Sequence, residues 1–238
     1  MFKDSFKLTG KLLIQKFNEN KDLVYSTEVP NLVVTSGKEF IASRIISDTV
    51  FEPMDYMAIG DDAQVGALSQ TTLVNELARV TTTTATASGV NVTFTATFGA
   101  GVGTGSIVEA GIFNKSSSSV LTFDGDTAVD DGSHQITYVA HGLVTGDKIT
   151  YTDGGGTAVV GLTDGGTYYV VRINADTIKL AATYAQAVAG SPTTIAITSG
   201  VGTNHKLTFG TMLCRTTFPV ITKSSAETIA ISWVVTVG

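Results

Sequence analysis

The chain has little charge, little proline and almost no cysteine. Of 238 residues only 15% are charged, four are proline and one is cysteine. The lone Cys214 excludes an intramolecular disulfide and any CxxC metal site. It stands within the apolar run GTMLCRTTFPVITK, where a free thiol is expected to be an inert core residue. Lys and Arg nowhere cluster and the net charge is −6, so the basic footprint of a nucleic-acid binder is missing. No apolar run approaches the ~18 residues that cross a bilayer, so no membrane insertion is expected. The first twenty residues, MFKDSFKLTGKLLIQKFNEN, alternate like a strand and lack the apolar stretch and small-residue cleavage site of a signal peptide. The expectation is synthesis in a bacterial cytoplasm without Sec export. Hydrophobic residues make up 43%, enough for a packed core and too much for disorder.

What the chain has is β alternation. Phe6, Leu8, Leu12 and Ile14 share one parity, which predicts a half-buried strand. A return strand spans 23–34, and Pro30 within it marks an edge or a bend. Val90, Val92, Phe94, Ala96 and Phe98 alternate with Asn91, Thr93, Thr95 and Thr97, the pattern of a sheet with one buried and one wet face. The last segment repeats it with Ile229, Ile231, Trp233, Val235 and Val237, which places Trp233 in a core. Short strands are also predicted at 54–60 and 106–114, with GAGVGTG (99–105) as the turn between neighbours. Ser36 and Glu39 have capping-box spacing and predict a short helix, Ser36–Ser47, with Ile41 and Ile45 on one face. Leu73, Leu77 and Val80 keep helical spacing, which allows a turn or two of helix, while the β-branched run Thr81–Thr84 pulls back towards strand. The fold class is therefore all-β: a sandwich or barrel with one or two short helices.

The organisation is interrupted by a seam. AGIFNKSSSS near residue 114 and GTMLCRTTFPVITK near residue 210 would form a hairpin if joined directly. Between them lies a Thr- and Gly-rich stretch with its own hairpin signals. Strands are expected at 136–142, 147–155, 167–174, 177–183 and 194–200. The reading is a discontinuous β host domain, 1–118 and 210–238, that carries a small β module of five or six strands at 119–209. Loop tips tolerate such insertions because few buried contacts are disturbed there.

Candidate chemistry is sparse, and no catalytic or cofactor-binding residue is expected. GAGVGTG is followed by a strand and not a helix, so a hairpin turn outweighs a dinucleotide loop. His134, His141 and His205 have no HxH or HxxxH spacing and no nucleophile elbow beside them. Glu109, Glu227 and Asp164 are scattered over separate segments, unlike the clustered carboxylates of a hydrolase. Asp124, Asp126, Asp130 and Asp131 crowd one glycine-containing stretch, as calcium ligands do, but lack the closing Glu of an EF-hand. The competing reading is a solvated linker. Tyr138, Tyr151, Tyr168 and Tyr169 are the candidate glycan-stacking residues. Tyr168 and Tyr169 are adjacent and so point to opposite faces of a strand, which puts at least one in the core.

Five stretches carry a family resemblance: VPNLVVTSGKEFIASRI (29–45), MAIG (57–60), LVNELARV (73–80), EAGIFN (109–114) and GTMLCRTTFPVITKSSAETIAISWVVTV (210–237). In this order they resemble a family of tailed-phage virion proteins described as tail-fibre-like, over residues 1–118 and 210–238. The stretch from HGLVTGDKITY to NADTIKLAAT resembles a β module of phage tail and surface-adhesion proteins. The resemblance implies a structural component of the virion, tail-, neck- or baseplate-associated, with capsid decoration or a glycan-binding adhesin as alternatives. The implied partners are other copies of the chain in a trimer or ring, other virion proteins and a host surface glycan. It supplies no catalytic residue.

Overall fold

A computed structural model of the chain describes residues 7–45, 53–116 and 120–238. In chain order its elements are β1 (Leu8–Phe17), β2 (Leu23–Pro30), β3 (Leu32–Val33), α1 (Thr35–Ile45), β4 (Tyr56–Gly60), β5 (Glu76–Thr81), β6 (Thr84–Ser88), β7 (Asn91–Phe98) and β8 (Gly105–Phe113). There follow β9 (Val120–Phe123), β10 (Val129–Asp130), β11 (Gln135–Thr137), β12 (Lys148–Thr152), β13 (Thr167–Arg172), β14 (Thr177–Ala181), α2 (Tyr184–Val188), β15 (His205–Phe209), β16 (Met212–Lys223) and β17 (Thr228–Val237). The fold is all-β and sandwich-like, with three antiparallel sheets. Two compact units emerge: one holds the described residues up to 116 and from Thr211 on, the other the described residues from 120 to Gly210.

In the first unit a five-stranded sheet runs β2-β1-β17-β7-β6. Its inner face comes from the alternating positions: Leu12 and Ile14 on β1, Phe94, Ala96 and Phe98 on β7, and Ile229, Ile231, Trp233 and Val235 on β17 are all buried. Each large apolar side chain removed from water in this way contributes roughly 1.5–3 kcal/mol. Pro30 closes β2, an edge strand, where its missing N–H breaks no interior ladder. Val90 departs from the expected pattern. It sits exposed in the turn between β6 and β7 and not on the buried face.

The second sheet of this unit runs β3-β16-β8-β4-β5. From Ile107 to Phe113 every residue of β8 is buried, because loop 61–75 covers the face that would otherwise be wet. The expected helical turn at 73–80 is not there. Glu76–Thr81 is strand β5, paired in register with β4, while Leu73 packs against Phe113 and Met212 from the loop. Helical spacing of three residues was outweighed by an open sheet edge beside a β-branched run. The expected helix is present as α1, but Ser36 does not cap it. Its hydroxyl donates to the Met212 carbonyl (2.9 Å), and the Val34 carbonyl accepts the first helical bond, from Lys38. The expected helical residues Ile46 and Ser47 and the Ile45 side chain, like Phe6 in the first strand, lie outside the described residues.

β8 and β16 are antiparallel neighbours with Phe113 opposite Met212. The ladder is continued by Asn114, whose N–H donates to the Thr211 carbonyl (3.2 Å) and whose Oδ1 accepts from the Thr211 N–H (2.6 Å). The two strands therefore close on each other without help from the residues between. Replacing residues 119–209 with a short Gly/Ser turn should leave a soluble β protein with one cooperative melt. An insoluble or molten product, judged by near-UV circular dichroism, would refute this.

The second unit is one seven-stranded sheet, β10-β11-β14-β13-β12-β15-β9. It packs its own core, including Ile136, Tyr151, Val170, Ile178, Leu180 and Leu207. Residues 194–200 were expected as a strand and form only a bridge from Thr198 to Val160, although Ile197 is buried. β9, β10 and β15 complete the sheet, so it exceeds the five or six strands expected. The helix α2 carries a full capping box: Thr183 Oγ1 accepts from Gln186 N–H, and Gln186 Oε1 accepts from Thr183 N–H. None of the described helices is long and apolar enough to cross a membrane.

Candidate interaction surfaces

Two charged residues sit inside otherwise apolar strands, Glu109 in β8 and Arg215 in β16, and both are fully buried. Arg215 Nε and Nη2 reach Glu109 Oε2 at 2.8 and 2.7 Å. The pair organises loop 61–75. Arg215 Nη1 donates to the Gln64 carbonyl (2.9 Å) and to Gln70 Oε1 (3.0 Å). Glu109 accepts from the N–H groups of Val74 (3.3 Å) and Asn75 (3.0 Å). Gly60 makes room for it, since a Cβ there would collide with the Glu109 carboxylate and the Asn75 carbonyl. The loop thus presents Val65 and Leu68 to solvent from a fixed base. Nearby, the Arg79 guanidinium stacks on Phe113 at 3.8 Å and pairs with Glu76. Sequence reading missed the Glu109–Arg215 pair. The available signal was a single charge of each sign embedded in an apolar strand of a charge-poor chain, because buried charges survive only when paired.

The carboxylates singled out in the sequence each have a partner within the fold. Glu109 is committed to Arg215. Glu227 accepts from Ser224 N–H (2.7 Å) and pairs with Lys16 (3.0 Å), and these contacts hold its carboxyl below the usual range. Asp164 accepts from the Asp153 N–H (3.0 Å). Cys214 is buried, which pushes its thiol pKa up and leaves it unreactive. Lys223 is buried too. Its Nζ donates to the Gly99 carbonyl (2.9 Å), anchoring the GAGVGTG turn, and burial lowers its pKa.

The four clustered aspartates do not converge. Asp124 accepts from the N–H groups of Asp126 and Thr127, Asp130 from those of Gly132 and Ser133, and Asp131 from Ser199 N–H and Oγ. The backbone donors hold the Asp124 carboxyl below its ordinary value of 3.8, and Ser133 with Gly132 does the same for Asp130. No group of three metal-ligating side chains forms among the described residues.

The four candidate glycan-stacking tyrosines do not share an exposed face. Tyr151 and Tyr168 are in the core. Tyr151 Oη accepts from Val159 N–H (2.8 Å) and lies 2.7 Å from His205 Nδ1; Tyr168 Oη accepts from Thr163 N–H (2.7 Å). Tyr138 and Tyr169 are half-buried, and Tyr169 packs edge-on against Tyr184. The histidines brace loops: His134 Nδ1 donates to the Ile197 carbonyl (2.7 Å). His141 Nδ1 accepts from Leu143 N–H (2.9 Å), so its Nε2–H faces the Asn174 carbonyl (3.1 Å). The preceding Ala140 is held at φ +53 while its N–H donates to Asp176 Oδ1 (2.8 Å). A non-glycine residue pays about 1 kcal/mol for that left-handed backbone. Ala140→Gly should therefore raise the module's stability by about that amount. A differential-scanning melt with no gain would show that the loop is unstrained.

Among the described residues of the first unit, two further surfaces lie at the margins of its five-stranded sheet. At the β2 margin Leu23, Val24, Tyr25 and Val220 are exposed above the Lys16–Glu227 pair. Near the β6 margin lies an apolar groove of about 380 Å³, lined among others by Phe40, Ala85, Val92, Phe94 and Val235. Comparison of the chain with protein-family models, with curated proteins and with solved structures returns no match.

Proposed function

We propose that the chain is a non-enzymatic structural component of a tailed-phage particle, associated with tail, neck or baseplate. In this reading the first unit docks on other virion proteins and on further copies, and the second unit is displayed. The observation that carries it is the β8–β16 ladder, which closes at Phe113–Met212 and Asn114–Thr211 around a separately cored β unit. That construction suits modular display. The sequence resemblance to phage virion proteins favours the same reading. So does the fate of Glu109, Glu227 and Asp164, whose carboxylates are committed to arginine, lysine or backbone partners. Repetition of weak contacts around a symmetric particle would supply avidity that one copy lacks.

Locating the protein in a particle reconstruction tests this directly. A ring of density on the tail, neck or baseplate is the expected result. Density at capsid three-fold sites would reassign it to capsid decoration, and absence from purified particles would overturn the reading. Particles carrying the protein without residues 119–209 should retain it at normal copy number, with loss confined to adsorption.

A further inference from the structure

The two margins of the five-stranded sheet differ in how they are protected. β2 ends in Pro30, is irregular opposite Lys16 and Phe17, and carries Glu28 in an ion pair with Lys11 (2.9 Å). Proline, bulges and charges are the usual means of blunting an open edge. β6 has neither proline nor charge, and its one irregularity lies at its start, where the Thr83 N–H donates to the Thr95 carbonyl (2.6 Å) beside the Thr84–Thr95 pair. The run TTTTATAS, residues 81–88, holds no charge and no proline, and every residue of β6 is exposed.

The hydrogen-bonding parity of β6 follows from its turn. Ser88 pairs with Asn91 across two residues, and Gly89 has φ +57 at the first of them, where a type II′ hairpin turn places glycine. Ser88–Asn91 is then a hydrogen-bonded pair, and alternation makes Thr86–Thr93 another. The N–H and C=O groups of Ala85 and Ala87 consequently point away from β7, to a side where no strand among the described residues pairs with β6. The alanine side chains share the face of their partners Phe94 and Val92, beside the apolar groove that Ala85 helps to line.

We propose that β6 is a self-association edge: two copies pair their β6 strands antiparallel about a two-fold axis at Thr86, joining their five-stranded sheets. In that register Ala85 of each copy lies opposite Ala87 of the other, and their outward N–H and C=O groups satisfy one another. Thr86 faces its own counterpart as a non-hydrogen-bonded pair. A second copy is the fitting occupant because antiparallel self-pairing brings like residues together around the axis. A charged strand resists this and a neutral one does not. The paired alanines also extend the apolar inner face at the groove margin. This inference goes beyond the virion reading and stands or falls independently of it.

Cysteine cross-linking of the full chain tests both the edge and the register. Cys214 is buried and gives no background. Directly opposed Cα atoms of a non-hydrogen-bonded pair are about 4.5 Å apart, within reach of a disulfide. Thr86→Cys should give a reducible dimer under mild oxidation. Thr84→Cys should not, because in this register it lies roughly 13 Å along the strands from its counterpart. Adding Ala87→Pro to Thr86→Cys should abolish the dimer and preserve the melt, since the lost N–H faces outward. Wild-type chain should sediment as a concentration-dependent dimer. Equal cross-linking of Thr84→Cys and Thr86→Cys, cross-linking of neither, or cross-linking of Thr27→Cys on β2 alone would overturn the proposal.

Discussion

Arg215→Ala should destabilise the first unit by about 3–5 kcal/mol, the cost of leaving a buried carboxylate without its partner. Both members of the pair are fully buried, and among the described residues Glu109 keeps only the Val74 and Asn75 N–H groups when the guanidinium is gone. The loss extends to loop 61–75, because Arg215 also holds the Gln64 carbonyl and Gln70. Denaturant titration of the chain should show a lower midpoint, and hydrogen exchange should show the Val74 and Asn75 amides losing protection. Replacing both charges at once, Glu109→Leu with Arg215→Met, should recover much of the loss, since apolar isosteres of a buried ion pair are often neutral or better. A midpoint unchanged in Arg215→Ala would mean that the pair is solvated and that the loop stands without it.

Trp233→Ala should cost about 3–5 kcal/mol, in the range for large-to-alanine changes in a core. Trp233 lies on β17, between β1 and β7, opposite Leu12 and Phe94, and it is fully buried. Its indole Nε1–H has no hydrogen-bond partner among the described residues. Trp233→Phe should therefore cost much less than the alanine change, because it removes that unpaired donor while keeping most of the ring volume. Thermal melts of the three proteins give the order. Emission from this single tryptophan should be blue-shifted in the native chain; a solvent-like maximum would contradict its burial.

Much of the sandwich was legible because one face of a sheet is wet. Along β7 and β17 the buried residues alternate with Thr, Ser, Ala and, at Val234, a half-buried valine, and period-two patterning records that asymmetry directly. β8 lost the pattern because loop 61–75 covers its second face, and β5 misled because its residues are half-buried on both sides. β9 alternates exposed and buried residues over only four positions, too short a run to stand out, and β10 has just two residues. Of the candidate site, the sequence showed which polar residues existed and not what they faced. Tyr151 is a candidate glycan-stacking residue by sequence, but its hydroxyl lies between Val159 N–H and His205 Nδ1 in the core.

By itself, then, the chain's alternation, turn residues and low charge determined an all-β fold, a buried Trp233 and a wet threonine face. These are local consequences of strand geometry, in which adjacent side chains must point to opposite faces. The tertiary structure alone decided that Glu109 meets Arg215, that Gly60 leaves space for them, and that β6 ends its sheet among the described residues with the backbone N–H and C=O groups of Ala85 and Ala87 turned away from β7. Those outcomes depend on which strands become neighbours and in what register, and residues more than a hundred positions apart along the chain set both.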